Sequence, residues 1–210
     1  MPDKPDLKVP DSAVPRLAQY HHALMEMAEG VASSDDLARV TGFSAAQIRK
    51  DLTYFGQFGR PGFGYSVPDL KQALSRILGT DKAWSVAVVG TGKALSVFGD
   101  LDRFRRHGFR VTACFEKEPD KNGAWDDVPV YPMDKLGDVV RRENIRMAVL
   151  AVSEGAAQRT AEILAESGVQ AILNLTPARL QLPERVAVRP MDLAMELEKL
   201  SYRSGRLGDR

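Results

Sequence analysis

The sequence predicts an α/β protein built from two domains: an N-terminal winged helix-turn-helix and a C-terminal Rossmann-type parallel-sheet domain. Three observations carry this. Residues 12–54 hold three short helical periods, with a Gly-containing turn between the second and the third. A stretch rich in glycine and aromatic residues follows them at once. Beyond residue 83 short apolar runs alternate with amphipathic segments, the grammar of a parallel sheet covered on both faces. The expected divisions are 1–80, 81–190, and a terminal helix with its tail at 191–210.

Ser12 to Glu29 reads as a helix, because Leu17, Tyr20, Leu24 and Met27 recur at three- and four-residue spacing and Gly30 follows as a stop. Ser33-Ser34-Asp35-Asp36 offers side-chain oxygens to free amide donors and opens a short helix through Val40. Thr41-Gly42 turns the chain, and Ser44 caps a third helix to about Tyr54. Gly56 to Tyr65 holds four glycines and Pro61 in ten residues, which excludes a helix. Aromatic residues between the glycines suit a tight β-hairpin. Val67 to Leu78 is helical again, with Leu70, Leu74 and Ile77 on one face and Gly79 as the stop.

In the second half, strands are expected at Val86–Val89, Val111–Phe115, Met147–Val152 and Ile172–Leu175, with a further one at Val186–Val188. Helices are expected at about Gly92–Arg106, Asp134–Arg142 and Gly155–Ser167. The last helix, Asp192 to Tyr202, carries Leu193, Leu197 and Leu200 as an apolar stripe.

Composition narrows the function classes. Of 210 residues 44% are hydrophobic and 27% charged, ordinary globular values. No apolar run approaches the roughly 18 residues needed to span a bilayer, and the polar N-terminus lacks the apolar core of a secretory signal. The expected location is the cytoplasm. The single cysteine, Cys114, excludes an intrachain disulfide and most cysteine-based metal sites, and reads as a buried strand residue. His21 and His22 read as helix-surface or packing residues, since no second ligand cluster accompanies them. Net charge is +1, but it is unevenly placed. Residues 1–38 hold three basic and seven acidic side chains; residues 39–76 hold six basic against Asp51 and Asp69. A local basic face is the usual footprint of phosphate binding.

The third helix supplies a reason for that basic face. With Ile48 at the centre of its buried side, Leu52 and Phe55 fall within about 40° of it at 100° per residue. The opposite side carries Ala46, Lys50 and Thr53, flanked by Gln47 and Arg49. That surface suits the DNA major groove: Arg and Lys contact guanine or phosphate, and Gln pairs with adenine. The helix cap Ser44, Arg60 at the hairpin tip, Gly62 and Tyr65 complete the candidate DNA-contacting set. The competing reading is an ordinary amphipathic helix with a solvated face. The trihelical order followed directly by the Gly-rich hairpin favours DNA.

Val86-Ala87-Val88-Val89-Gly90-Thr91-Gly92-Lys93-Ala94-Leu95 is a strand running into a Gly-rich turn and a helix. It matches the G-x-G-x-x-G dinucleotide fingerprint except that Leu95 replaces the third glycine. Gly90 allows the tight turn, and Gly92 lets the backbone approach a pyrophosphate at the helix N-terminus. Glu116 follows Gly92 by 24 residues, at the position whose carboxylate holds ribose hydroxyls. This points to NAD over NADP.

Together these stretches resemble the Rex family of redox-sensing transcriptional repressors. The matching residues are Lys8-Val9-Pro10, Arg16-Leu17, Tyr20, the run Gln47 to Gly56, Gly62-Phe63-Gly64-Tyr65, Val89 to Gly92, Ala156-Ala157-Gln158, and Ile172 to Pro177. The resemblance covers nearly the whole chain. It implies a homodimer on palindromic operators that represses when NAD⁺ dominates and leaves DNA when NADH binds. It also implies that the terminal helix, Asp192 to Tyr202, is swapped between subunits, and that Ala151, Val152, Asn174 and Pro177 line the nicotinamide half of the site. Glu116 and Glu118 stand where the family usually shows aspartates, Ser153 where proline is common, and Pro61 in place of a basic residue, with Arg60 one position early.

The leading expectation is therefore a repressor that senses the NADH/NAD⁺ ratio. One rival is a DNA-binding dimer whose nucleotide site is degenerate or retuned, for which Leu95 speaks. The other is an NAD-dependent oxidoreductase, which lacks a catalytic constellation: His107 lies just past the first Rossmann helix, away from the strand ends where chemistry occurs.

Overall fold

The structure is a computed structural model, and it describes residues 9–54, 63–90, 101–119, 124–125 and 127–205. The chain divides into two compact units, Met1–Lys82 and Ala83–Arg210.

In the first unit, helix α1 spans Val14–Glu26. It starts later than its periodicity suggests because residues 11–13 form a turn and a proline occupies the first helical turn, where a missing N–H is harmless. It also ends earlier. Met27 is extended, and the chain runs on through Gly30 into strand β1, Val31–Ala32. β1 pairs antiparallel with β2, Tyr65–Ser66. The sequence carries no strand pattern for β1. Most of the expected hairpin over Gly56–Tyr65 lies outside the described residues; its described end pairs with β1. Gly64 explains one glycine of that stretch: its φ is +84°, and a Cβ there would lie 2.7 Å from the Ala32 carbonyl oxygen.

Helix α2 spans Ser34–Thr41 and is opened by a capping box. Ser33 Oγ accepts from the Asp36 N–H, and the Asp36 carboxylate accepts from the Ser33 N–H. Gly42 closes it in the left-handed conformation, and Ser44 caps α3, Ala45–Thr53. Helix α4 spans Val67–Leu78. Leu17, Tyr20, Leu24, Leu37, Ile48, Leu52, Leu70 and Leu74 fill one core.

The second unit holds a seven-stranded sheet. Its strands are β3 (Trp84–Gly90), β4 (Phe109–Glu116), β5 (Ala124–Trp125), β6 (Val128–Pro132), β7 (Met147–Ala151), β8 (Ala171–Asn174) and β9 (Ala187–Pro190). They lie in the order β5-β6-β4-β3-β7-β8-β9. All neighbours are parallel except β5 and β6. The short strands β5 and β6 go beyond the sequence expectation, since Pro129 and Pro132 interrupt the β-pattern; both prolines sit near a sheet edge, where a missing donor is tolerated. The helices are α5 (Leu101–Arg106), α6 (Leu136–Arg142), α7 (Glu154–Glu166) and α8 (Leu193–Gly205). A single 3-10 turn, Met133–Lys135, precedes α6.

Strand side chains alternate between two cores. Ala87, Val89, Phe115 and Leu150 pack with Leu136, Val140, Ala161 and Leu164 of α6 and α7. Val86, Val88, Cys114 and Val149 pack with Leu101 of α5 on the other face. Among the described residues no helix is long and apolar enough to cross a membrane.

Candidate nucleic-acid interface and nucleotide crevice

The third helix α3 divides its residues as its periodicity predicts. Ile48 and Leu52 are buried, while Ser44, Ala46, Arg49, Lys50 and Thr53 are exposed and Gln47 is half-buried. The hydroxyls turn inward on their own helix: Ser44 Oγ accepts from the Gln47 N–H at 3.2 Å, and Thr53 Oγ1 donates to the Lys50 carbonyl at 2.6 Å. Arg49 Nη1 donates to Ser34 Oγ of α2 at 2.8 Å, so its guanidinium is pre-positioned across the two helices. Arg49 also faces Tyr65 of β2 closely enough to oppose the rise in that phenol's pKa, which burial causes. Arg60 and Gly62 lie outside the described residues.

Asp51 is a residue whose role sequence reasoning missed. The charge pattern places it among the acids of the basic stretch, yet it is 1% exposed. Its carboxylate accepts two hydrogen bonds from Arg16 of α1, one from the Tyr20 hydroxyl at 2.8 Å, and one from Gln47 Nε2 at 2.8 Å. Burial alone would raise its pKa, but these donors outweigh burial and hold the carboxyl below the ordinary range. With Asp51 inside, Asp69 is the remaining acid of residues 39–76 at the surface. The signal available in the sequence was position: Asp51 lies three residues from Ile48, on the buried side of the helix.

The sheet order of the second unit reverses direction between β3 and β7, and the carboxyl ends flanking that point form the crevice where open α/β sheets bind ligands. Four candidate residues end adjacent strands there: Glu116 on β4, Gly90 on β3, Ala151 on β7 and Asn174 on β8. At about 4.8 Å per strand, this edge runs roughly 14 Å. Gly90 has φ +126°, and a Cβ on it would lie 2.2 Å from the Ala151 carbonyl oxygen. No other residue could leave the strand at this point. Val152 directly follows Ala151, and Pro177 lies three residues beyond Asn174 in the loop after β8. Thr91, Gly92, Lys93, Ala94 and Leu95 lie outside the described residues. Ser153 starts α7 at φ −62°, an angle that proline shares, so its departure from the family pattern leaves the turn available.

Asn174 is buried, and its amide is engaged within the chain. Oδ1 accepts from the Thr176 N–H and hydroxyl, and Nδ2 donates to the Ala178 carbonyl. Cys114 is buried on β4, and its thiol is pushed up to about 12 by burial and by the nearby Glu116 charge. His21 shares a 2.8 Å hydrogen bond with Ser75. No metal-holding cluster of His, Cys, Asp or Glu occurs among the described residues.

Residues 8–53 match the family model "Putative DNA-binding protein N-terminus", and residues 81–178 match the CoA binding domain. The redox-sensing transcriptional repressor Rex of Desulfitobacterium hafniense is 39% identical over 203 residues, covering 95% of this chain and 97% of the relative. This chain belongs to the Rex family. The Rex of Chloroflexus aurantiacus is also 39% identical, over 92% of this chain and 93% of its own. The family is one of transcriptional repressors, not of enzymes. Solved structures of RSP, a Rex-family repressor, match along nearly the whole chain. The complex of RSP with β-NAD⁺ and operator DNA gives a TM-score of 0.82 at 32% identity, covering 94% of this chain and 93% of that one. The complex of RSP with β-NADH gives 0.82 at 30%, covering 96% of each.

Proposed function

We propose that this Rex-family chain is a cytoplasmic homodimeric repressor that holds palindromic operator DNA and releases it when NADH replaces NAD⁺. The observation that carries this is the exposed Ala46–Arg49–Lys50–Thr53 face of α3, held on a packed four-helix core in one chain with a Rossmann crevice. Residues 1–80 would act as a winged-helix DNA-binding domain, with α3 in the major groove and the Arg60–Tyr65 wing at the backbone or minor groove. Residues 81–190 would hold the dinucleotide, and 191–210 would dimerise.

The residues present suit an adenine dinucleotide. Gly90 to Leu95 would offer backbone donors to the pyrophosphate. The half-buried Glu116 carboxylate would hold the ribose hydroxyls, favouring NAD over NADP. Ala151, Val152, Asn174 and Pro177 would border the nicotinamide end. Bound nucleotide supplies a signal and undergoes no reaction. It shifts the DNA-competent state only by its differential affinity for the two states.

The terminal helix supports the dimer. Leu193, Leu197 and Leu200 of α8 are 69%, 65% and 58% exposed, an apolar stripe without cover in the single chain. A swapped helix would bury it on a second copy, and a two-fold dimer reads a palindrome. The replacement of the third fingerprint glycine by Leu95 favours a second reading, a DNA-binding dimer with a degenerate nucleotide site.

Three measurements test the proposal. Full-length protein should enrich palindromic duplexes from a randomised pool. Calorimetry should detect NADH binding. Light scattering should give a dimer, and truncation after Pro190 a monomer. NADH binding absent at millimolar concentration, with DNA binding intact, would leave the degenerate-site reading standing.

A further inference from the structure

Asn174 joins two parts of the second unit that the proposed function has to connect. Its side chain is 1% exposed and organises the loop after β8. Oδ1 accepts from the Thr176 N–H at 3.0 Å and from the Thr176 hydroxyl at 2.7 Å, and Nδ2 donates to the Ala178 carbonyl at 2.8 Å. Thr176 Oγ1 also accepts from the Ala178 N–H at 3.3 Å. Pro177, the candidate nicotinamide neighbour, is thus carried on a turn wound around one buried amide. The far part of the same loop is held by Gln158 of α7. Its side chain donates to the Gln181 carbonyl and accepts from the Gln181 N–H, both at 2.9 Å, as a neighbouring strand would.

On its backbone side Asn174 does something different. Its carbonyl accepts from the Met191 N–H at 2.8 Å, where β8 and β9 end together. The next residue, Asp192, starts α8, its carboxylate accepting from the Ala194 N–H at 2.8 Å and the Met195 N–H at 3.4 Å. The loop at the crevice and the departure of the terminal helix therefore share one residue. A buried amide with its bonds satisfied has few alternative arrangements, and losing one bond strands a polar group.

We propose that Asn174, Thr176 and Gln158 are positioning residues that couple occupancy of the nucleotide crevice to the departure of α8. They do so by holding the Pro177 loop in register with the end of β9. A loop conformation selected by the nucleotide then biases the helix that the dimer uses, because both are fixed to Asn174. This rests on the reading of the crevice as the nucleotide site and of α8 as the dimer helix. The link is a chain of hydrogen bonds, and it carries an energetic coupling between the two ends of the loop.

The test uses the full chain and a duplex enriched on it. DNA affinity is measured without nucleotide and at saturating NADH, and NADH affinity is measured separately by calorimetry. Thr176→Val keeps the shape of the side chain and removes its hydroxyl; Thr176→Ser restores the hydroxyl. Gln158→Met, on the exposed side of the loop, tests the second anchor without opening the core. Thr176→Val and Gln158→Met are expected to bind NADH still, but to lose about tenfold of the wild-type release factor at saturation. Thr176→Ser is expected to recover it. Unchanged release at saturating NADH in the folded variants overturns the proposal, because residues with a merely structural or ligand-contacting role would alter NADH affinity and leave that factor alone. Should Thr176→Val fail to fold, Gln158→Met decides by itself. Wild-type protein that binds the duplex but never releases it with NADH would instead overturn the proposed function, which is a separate outcome.

Discussion

Arg16 grips Asp51 with two parallel hydrogen bonds, Nε to Oδ2 at 2.6 Å and Nη2 to Oδ1 at 2.8 Å, across 35 residues of chain. This bidentate pair ties α1 to α3, and Tyr20 and Gln47 complete it. Replacing Asp51 by Asn keeps the shape but removes the charge that Arg16 and the buried Tyr20 hydroxyl face. Asp51→Asn is expected to destabilise the N-terminal unit by roughly 2 to 4 kcal/mol. Urea unfolding followed by circular dichroism measures this; a change below about 0.5 kcal/mol, the size of an ordinary surface substitution, would mean the network is dispensable.

The same pair sets a pH dependence. The Asp51 pKa is lowered in the folded protein from its ordinary value of 3.8. A depressed carboxylate contributes stability that is fully present above the unfolded pKa and is lost as pH falls through the folded one. Thermal stability of the first unit should therefore hold from neutral pH down to about 5, and fall steeply below about 4. In Asp51→Asn that fall should be shallower. Equal slopes in the two proteins, from melts spanning roughly pH 3 to 5, would assign the acid loss to other groups.

Much of this architecture was legible from residue patterns. The apolar spacing of Leu70, Leu74 and Ile77 located α4 at its observed bounds, and the Ser44 cap located the start of α3. The Rossmann crevice followed from Gly90 and Glu116, because each marks the end of a strand. What escaped were features set by partners far along the chain. Val31–Ala32 becomes a strand through Tyr65–Ser66, not through its own pattern. Asp51 looked like an ordinary surface acid, since burial against Arg16 and Tyr20 of another helix leaves no periodic trace in a sequence.

Arg49 and Lys50 are expected to carry much of the DNA affinity. The double variant Arg49→Ala, Lys50→Ala should weaken binding and flatten the slope of log affinity against log salt by about one unit for each phosphate-neutralising charge removed. Gln47, held by Asp51 at 2.8 Å, should behave differently. Gln47→Ala should weaken binding evenly across duplexes and leave base preference in place. Wild-type affinity in the double variant would remove α3 from the interface, and altered base preference in Gln47→Ala would return Gln47 to base readout.

Cys114 should be inert in the native protein. It is buried on β4 in the core that holds Leu101 of α5, and burial and the Glu116 charge push its thiol up to about 12, so thiolate is scarce at neutral pH. A thiol-reactive dye should label it only in denaturant. Rapid labelling of folded protein at neutral pH would show that β4 opens and that the thiol is accessible to oxidants.

In the proposed function one chain converts nucleotide redox state into DNA occupancy. The direct measurement is fluorescence anisotropy of an enriched palindromic duplex held by the full-length protein, titrated with NADH at a fixed total of NADH plus NAD⁺. The duplex should stay bound in NAD⁺ alone and be released progressively as the NADH fraction rises. Anisotropy unchanged across the whole range, in protein that binds both the duplex and NADH, would contradict that conversion.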